Sequence, residues 1–69
     1  MNKQQEIPEV MHVHAVARHL RCHRSTIYKL VEEGELIAIR LGRRGIRIKK
    51  ASLDDYLFRQ EIDPIEYLE

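Results

Sequence analysis

Two clusters of side chains stand out for what they can do with a polyanion. Arg24, Ser25, Thr26, Tyr28 and Lys29 place cations, hydroxyls and a phenol within one short span. Arg40, Arg43, Arg44 and Arg47 gather around Gly42 and Gly45. Arginine and lysine bind phosphate and read guanine edges, while serine and threonine bond either phosphate or base. Between two glycines, Arg43 and Arg44 resist burial, and the backbone there can approach another surface closely. A narrow minor groove attracts arginine through its strong negative potential; phosphate contact alone gives salt-sensitive affinity without sequence choice. The plain alternative is a solvated helix face beside a hairpin whose charges discourage edge pairing.

Other chemistries find less support. His12, His14, His19, Cys22 and His23 invite a metal reading. His19 and His23 match a His-x₃-His spacing, but zinc sites of that kind need a second close pair of ligands, and Cys22 is the single cysteine. A Cys22–histidine nucleophile pair lacks a third orienting group and an oxyanion-hole motif. Gly42 and Gly45 frame a turn and do not form a nucleotide-binding loop. The expectation is a protein with no catalytic residue, no metal, no cofactor and no small-molecule substrate.

The charges are unevenly placed. The net charge of +1 conceals a basic body and an acidic end. Residues 12–50 carry ten Lys or Arg against three Glu, a net of +7. Residues 51–69 carry one Arg against six acidic residues, a net of −5. Such a separation suggests a polyanionic partner on one side and a distinct acidic surface on the other.

The elements that position these groups follow from periodicity. Val13, Val16, Ala17 and Leu20 recur at the i, i+3, i+4, i+7 spacing of a short amphipathic helix. His12 stands where a Ser, Thr, Asp or Asn cap is preferred. After Arg21-Cys22-His23, a second helix shows Ile27, Leu30 and Val31 on one side and ends at Gly34, a favoured C-terminal stop. At ~100° per residue, Ser25, Lys29 and Glu32 fall opposite that apolar side, with Thr26 and Tyr28 on its flanks. Arg24 lies near the helix start, where free backbone N–H groups and long side chains can meet phosphate. Two helices joined by a short turn make a helix-turn-helix, with Cys22 as a small apolar plug in the turn. From Leu36 the period becomes two, and Leu36–Leu41 and Ile46–Lys49 read as a hairpin around Gly42-Arg43-Arg44-Gly45. Ser52 reads as the cap of a third helix, with Asp54 and Asp55 at its positive end and Leu53, Tyr56 and Leu57 on its buried face.

Length bounds the whole. Sixty-nine residues hold one small domain with one core. Hydrophobic residues at 43% and charged residues at 33% fit a folded chain better than a disordered one. No apolar run spans a membrane and no secretory signal is visible, so a reducing, cytoplasmic setting is expected. The organisation read from the sequence is a flexible leader over residues 1–10, a folded domain over 11–60 and an acidic tail over 61–69. In that tail Ile62, Ile65, Tyr67 and Leu68 are candidates to pack on the core or on a partner protein.

The order helix, turn, helix, hairpin, helix predicts an α+β winged helix-turn-helix. The residues that carry this order also resemble a family. His23–Leu36, "HRSTIYKLVEEGEL", and Ile39–Leu57, "IRLGRRGIRIKKASLDDYL", are similar to the recognition helix and the wing of excisionase-type, MerR-like winged helix-turn-helix DNA-binding domains. The likeness spans roughly residues 11–58. It implies that Arg24, Ser25, Thr26, Tyr28 and Lys29 take the recognition-helix role and that Arg43 and Arg44, with Arg40 and Arg47 beside them, take the wing role. The sequence departs from the pattern at three places. His12 replaces a hydroxyl cap, His23 replaces a serine, and Arg21 replaces a turn glycine; Arg21 and His23 then stand as further phosphate contacts. The resemblance implies an architectural factor for recombination. Copies bind double-stranded DNA side by side, bend it, and help an integrase or other recombinase choose excision. A small transcription regulator of the same fold is the second expectation, and a protein-interaction adaptor with a basic hairpin is the third.

Overall fold

The computed structural model describes residues 9–61. Residues 1–8 and 62–69, which include most of the expected leader and nearly all of the acidic tail, lie outside them. In chain order the elements are strand β1 (Val10–His12), helix α1 (Val13–Leu20), helix α2 (Arg24–Glu32), strand β2 (Ala38–Arg40), a 3₁₀ turn (Gly42–Arg44), strand β3 (Ile46–Lys49) and helix α3 (Lys50–Arg59). The fold is α+β, with three helices and a three-stranded antiparallel sheet in the order β1-β3-β2. This is the architecture of a winged helix-turn-helix, with β2 and β3 as the wing.

One core joins all the elements. Val13, Val16 and Ala17 of α1, Ile27 of α2, Leu36, Ile48 of β3 and Leu53 of α3 are buried together. Leu20, Cys22, Leu30, Val31, Tyr56 and Leu57 pack around them half-buried, as the periodicity predicts, and Cys22 fills its expected place in the turn. Val16, Ile27, Leu36 and Ile48 are almost fully enclosed. Removing such a side chain from water contributes about 1.5–3 kcal/mol.

Sheet register decides which residues share a face. Met11, Ile48 and Ala38 form one cross-strand row and pack on the core side. His12, Arg47 and Ile39 form the next row, on the opposite side. Arg40 pairs with Ile46 and so belongs with the core-side rows.

The two helices of the helix-turn-helix end in the same way. At the end of α2 the Glu35 N–H donates to the Leu30 carbonyl at 2.8 Å and the Gly34 N–H to Val31 at 3.0 Å. At the end of α1 the Cys22 N–H donates to Ala17 at 2.9 Å and the Arg21 N–H to Arg18 at 3.1 Å. Both are paired-carbonyl stops that need one residue in the left-handed region. In α2 that residue is Gly34, with φ +79°; in α1 it is Arg21, with φ +56°. Arg21 is the sole non-glycine residue with positive φ among the described residues.

Three expectations change. The leader read over residues 1–10 yields Val10 to β1, which the sequence did not reveal as a strand; β1 lines up along β3, and the Lys50 N–H donates to the Glu9 carbonyl at 2.9 Å. Helix α3 begins at Lys50, not after Ser52. The Ser52 hydroxyl instead donates to the Lys49 carbonyl at 2.7 Å and accepts the Ile37 N–H at 3.1 Å, tying α3 to the chain that enters β2. Asp54 and Asp55 fall beyond the first turn and pair with Lys50 and Arg59 instead of the helix dipole.

Candidate nucleic-acid interface

Helix α2 presents its polar side outward because Ile27 pins the other side to the core. Arg24, Ser25, Thr26, Tyr28 and Lys29 are all exposed, and Tyr28 keeps 45% of its surface open. The sequence-derived face is therefore assembled on one helix. Its start is organised by His23, whose Nδ1 accepts the Ser25 N–H at 3.3 Å and lies 3.2 Å from the Ser25 hydroxyl. In this contact Nδ1 serves as the acceptor, a role open to the Nε2–H tautomer. His23 thus caps the start of α2 with its side chain, and Ser25 is partly engaged by it. His12 makes no such side-chain contact at the start of α1.

The wing tip is a tight turn. The Arg44 N–H donates to the Leu41 carbonyl at 2.9 Å, and the Leu41 N–H donates to Gly45 at 2.8 Å. Gly45 sits at φ +93°, ψ −156°, a conformation that is essentially restricted to glycine. Arg43 and Arg44 are exposed on this turn, as is Arg40 before it. Arg47 differs from them. It is half-buried, and its Nη1 donates to the carbonyls of Ile46 at 3.0 Å and Arg44 at 3.3 Å. The four arginines that sequence spacing groups together are thus divided by the structure: two on the tip, one on the core-side face, one clasped to backbone on the other face.

The electrostatics separate two regions. Among the described residues, the salt bridges are Lys50–Asp54, Arg59–Asp55 and Arg59–Glu35, each 3.0 Å long and each involving α3. The Lys50 ammonium is raised above its ordinary value chiefly by its hydrogen bond to Asp54. The Arg59 guanidinium is raised by its hydrogen bond to Glu35 and then by that to Asp55. No described acidic side chain comes within 4.0 Å of the cationic nitrogens of Arg21, Arg24, Lys29, Arg40, Arg43 or Arg44. Among the described residues, the exposed cations of α2 and the wing thus carry no ion pair.

Among the described residues no three His, Cys, Asp or Glu side chains are arranged to hold a metal ion. The His12 and His14 rings lie 5.1 Å apart without a third ligand. No described helix is long and apolar enough to cross a membrane. What sequence reasoning missed at the site is the capping by His23 and the backbone contacts of Arg47. The first was signalled by a histidine directly before the helix, where a side-chain acceptor is favoured; the second has no sequence signal, because it depends on the shape of the turn.

The family model described as "Helix-turn-helix domain" matches residues 10–61, a span that runs from β1 to just beyond α3. No curated protein and no solved structure matches the chain.

Proposed function

Because the chain belongs to the helix-turn-helix domain family, a DNA-binding family, we propose that it grips duplex DNA with α2 in the major groove and the wing on the adjacent minor groove or backbone. Arg24, Ser25, Thr26, Tyr28 and Lys29 face the bases and their flanking phosphates. Arg40, Arg43 and Arg44 supply the wing contact, with Arg47 just beyond the tip at the start of β3. Arg21 and His23, at the turn before α2, reach the phosphates that border the groove. The observation that carries this reading is the division of charge: among the described residues the cations on α2 and the wing form no ion pair, whereas those of α3 do.

The role that fits best is that of an excisionase-like directionality factor. It binds beside a recombination site, bends the duplex through neighbouring copies, and favours excision by a recombinase. The support is the resemblance of His23–Leu36 and Ile39–Leu57 to such proteins.

Titration of DNA flanking its own gene against scrambled DNA tests the binding step. The expected preference is about 10³-fold or more at physiological salt. Equal affinity for both, or none for either, overturns sequence-specific binding and leaves the adaptor reading. Reconstituted recombination tests the role: with the recombinase encoded nearby, the protein should raise excision and lower integration. Specific binding with no effect on recombination, but with repression of an adjacent promoter, identifies a transcription regulator instead.

A further inference from the structure

We infer that Arg47 is a positioning residue of the wing: its guanidinium clasps the backbone of the tip and orients Arg43 and Arg44, without meeting the duplex itself. The inference rests on the proposed wing role, but separate observations carry it. The first is sidedness. Arg47 stands opposite Ile39 and His12 in the sheet, while Arg40 stands opposite Ile46, on the face that carries Ile48 into the core. Ile27 of α2 packs in that same core, so α2 lies on the Arg40 side of the sheet. In the proposed docking a duplex seated on α2 meets the wing from that side, and Arg47 leaves the sheet from the other.

The second observation is what Arg47 holds. Its two acceptors, the carbonyls of Arg44 and Ile46, flank Gly45 on either side. Gly45 is one of two glycines at positive φ that bracket the tip, Gly42 being the other, and it is the one on the β3 side, where glycine's backbone freedom is widest. The Leu41 N–H to Gly45 bond restrains that glycine from across the turn, and Arg47 restrains it from the β3 side. Arg43 and Arg44 have no side-chain partner of their own among the described residues. The backbone that Arg47 grips therefore sets where their Cα–Cβ bonds point, and with them the sector of space the two side chains sweep. A preset tip gives up less freedom on binding than a loose one, and so binds more tightly without any added interaction.

A double-mutant cycle separates a clasp from a contact. Arg47→Met keeps the stem and removes charge and donors; Arg47→Lys keeps the charge but not the planar fork. In the wild-type background both should weaken binding, roughly five- to tenfold, because the tip is no longer preset. In the Arg43→Ala/Arg44→Ala background either change should matter by less than about twofold, since the residues being oriented are gone. In the free protein, amide signals of Gly42, Arg44 and Gly45 should move in both variants, with thermal melting showing the fold retained. Equal weakening in the two backgrounds, or full affinity in Arg47→Lys with unmoved tip amides, overturns the clasp alone. Wild-type binding by Arg43→Ala/Arg44→Ala overturns the wing reading and the clasp with it.

Discussion

Helix α3 and the α2–wing surface use the same kinds of side chain in opposite ways. On α3, Lys50 reaches Asp54 one turn along, and Arg59 bridges Asp55 and Glu35, the latter from the loop after α2. These cations hold the protein to itself. On α2 and the wing, Arg24, Lys29, Arg40, Arg43 and Arg44 stand exposed, and none forms an ion pair among the described residues. Total basic content thus says little about where a polyanion binds. What matters is which cations already have a counterion in the chain, because an adjacent carboxylate offsets most of the field that a cation presents to an approaching polyanion.

The largest expected effect sharpens that contrast. Arg24→Ala, Arg43→Ala and Arg44→Ala together should reduce DNA affinity by about 10²-fold or more at low salt. For each phosphate left without its cation, the log–log salt slope should become shallower by about 0.9. Lys50→Ala with Arg59→Ala should leave both quantities unchanged. A similar weakening from the α3 pair, measured by fluorescence anisotropy across a salt series, would break the comparison.

Within α2 the contrast is between reading and holding. Lys29→Ala should cost about 1–3 kcal/mol of discrimination at one base pair. Selection from a randomised DNA library, wild type against variant, should show relaxed preference at that position alone. A uniform fall across all sequences would make Lys29 a phosphate ligand.

Arg21 tests the boundary between stability and binding. Its left-handed backbone carries a penalty of roughly 1–2 kcal/mol that glycine avoids. Arg21→Gly should therefore raise the thermal midpoint by about 4–8 °C for each kcal/mol regained, in a domain of this size. DNA affinity should fall a few-fold at the same time, as expected for one phosphate that no longer meets a cation. A rise in both stability and affinity would remove Arg21 from the interface.

The smallest effect concerns α3. Lys50 titrates higher in the folded chain than its ordinary 10.5, through Asp54. Stability from this pair is complete below the ordinary value and is lost as pH rises through the raised one. Asp54→Asn should therefore remove a slight alkaline decline in the thermal midpoint and leave the neutral-pH midpoint almost unmoved, since the pair is solvent-exposed.

What the sequence disclosed was local. The stripe Val13-Val16-Ala17-Leu20, the stop at Gly34 and the arginines between Gly42 and Gly45 all announce themselves within a few residues. What it withheld depends on distant partners. Strand β1 exists because Val10 pairs with Lys49, and three residues are too few to show a period. Ser52 looked like a cap because its neighbours favour one; its hydroxyl is drawn to the Lys49 carbonyl and the Ile37 N–H by the return of the chain. The α2 face was legible because one helix carries it. The division among the wing arginines was not, because sheet register separates Arg40 from Arg47 and no spacing rule encodes it.

Strand β1 ends at His12 and α1 begins at Val13; β3 ends at Lys49 and α3 begins at Lys50. Neither junction contains a spare residue to act as a hinge. A push on the base of the wing is thus passed straight to the roots of two helices that share one core. In the proposed docking such a body would meet its target largely as a preformed solid, and any misfit between helix and wing spacing would fall on the duplex, whose flexible base steps yield more readily than a packed interior.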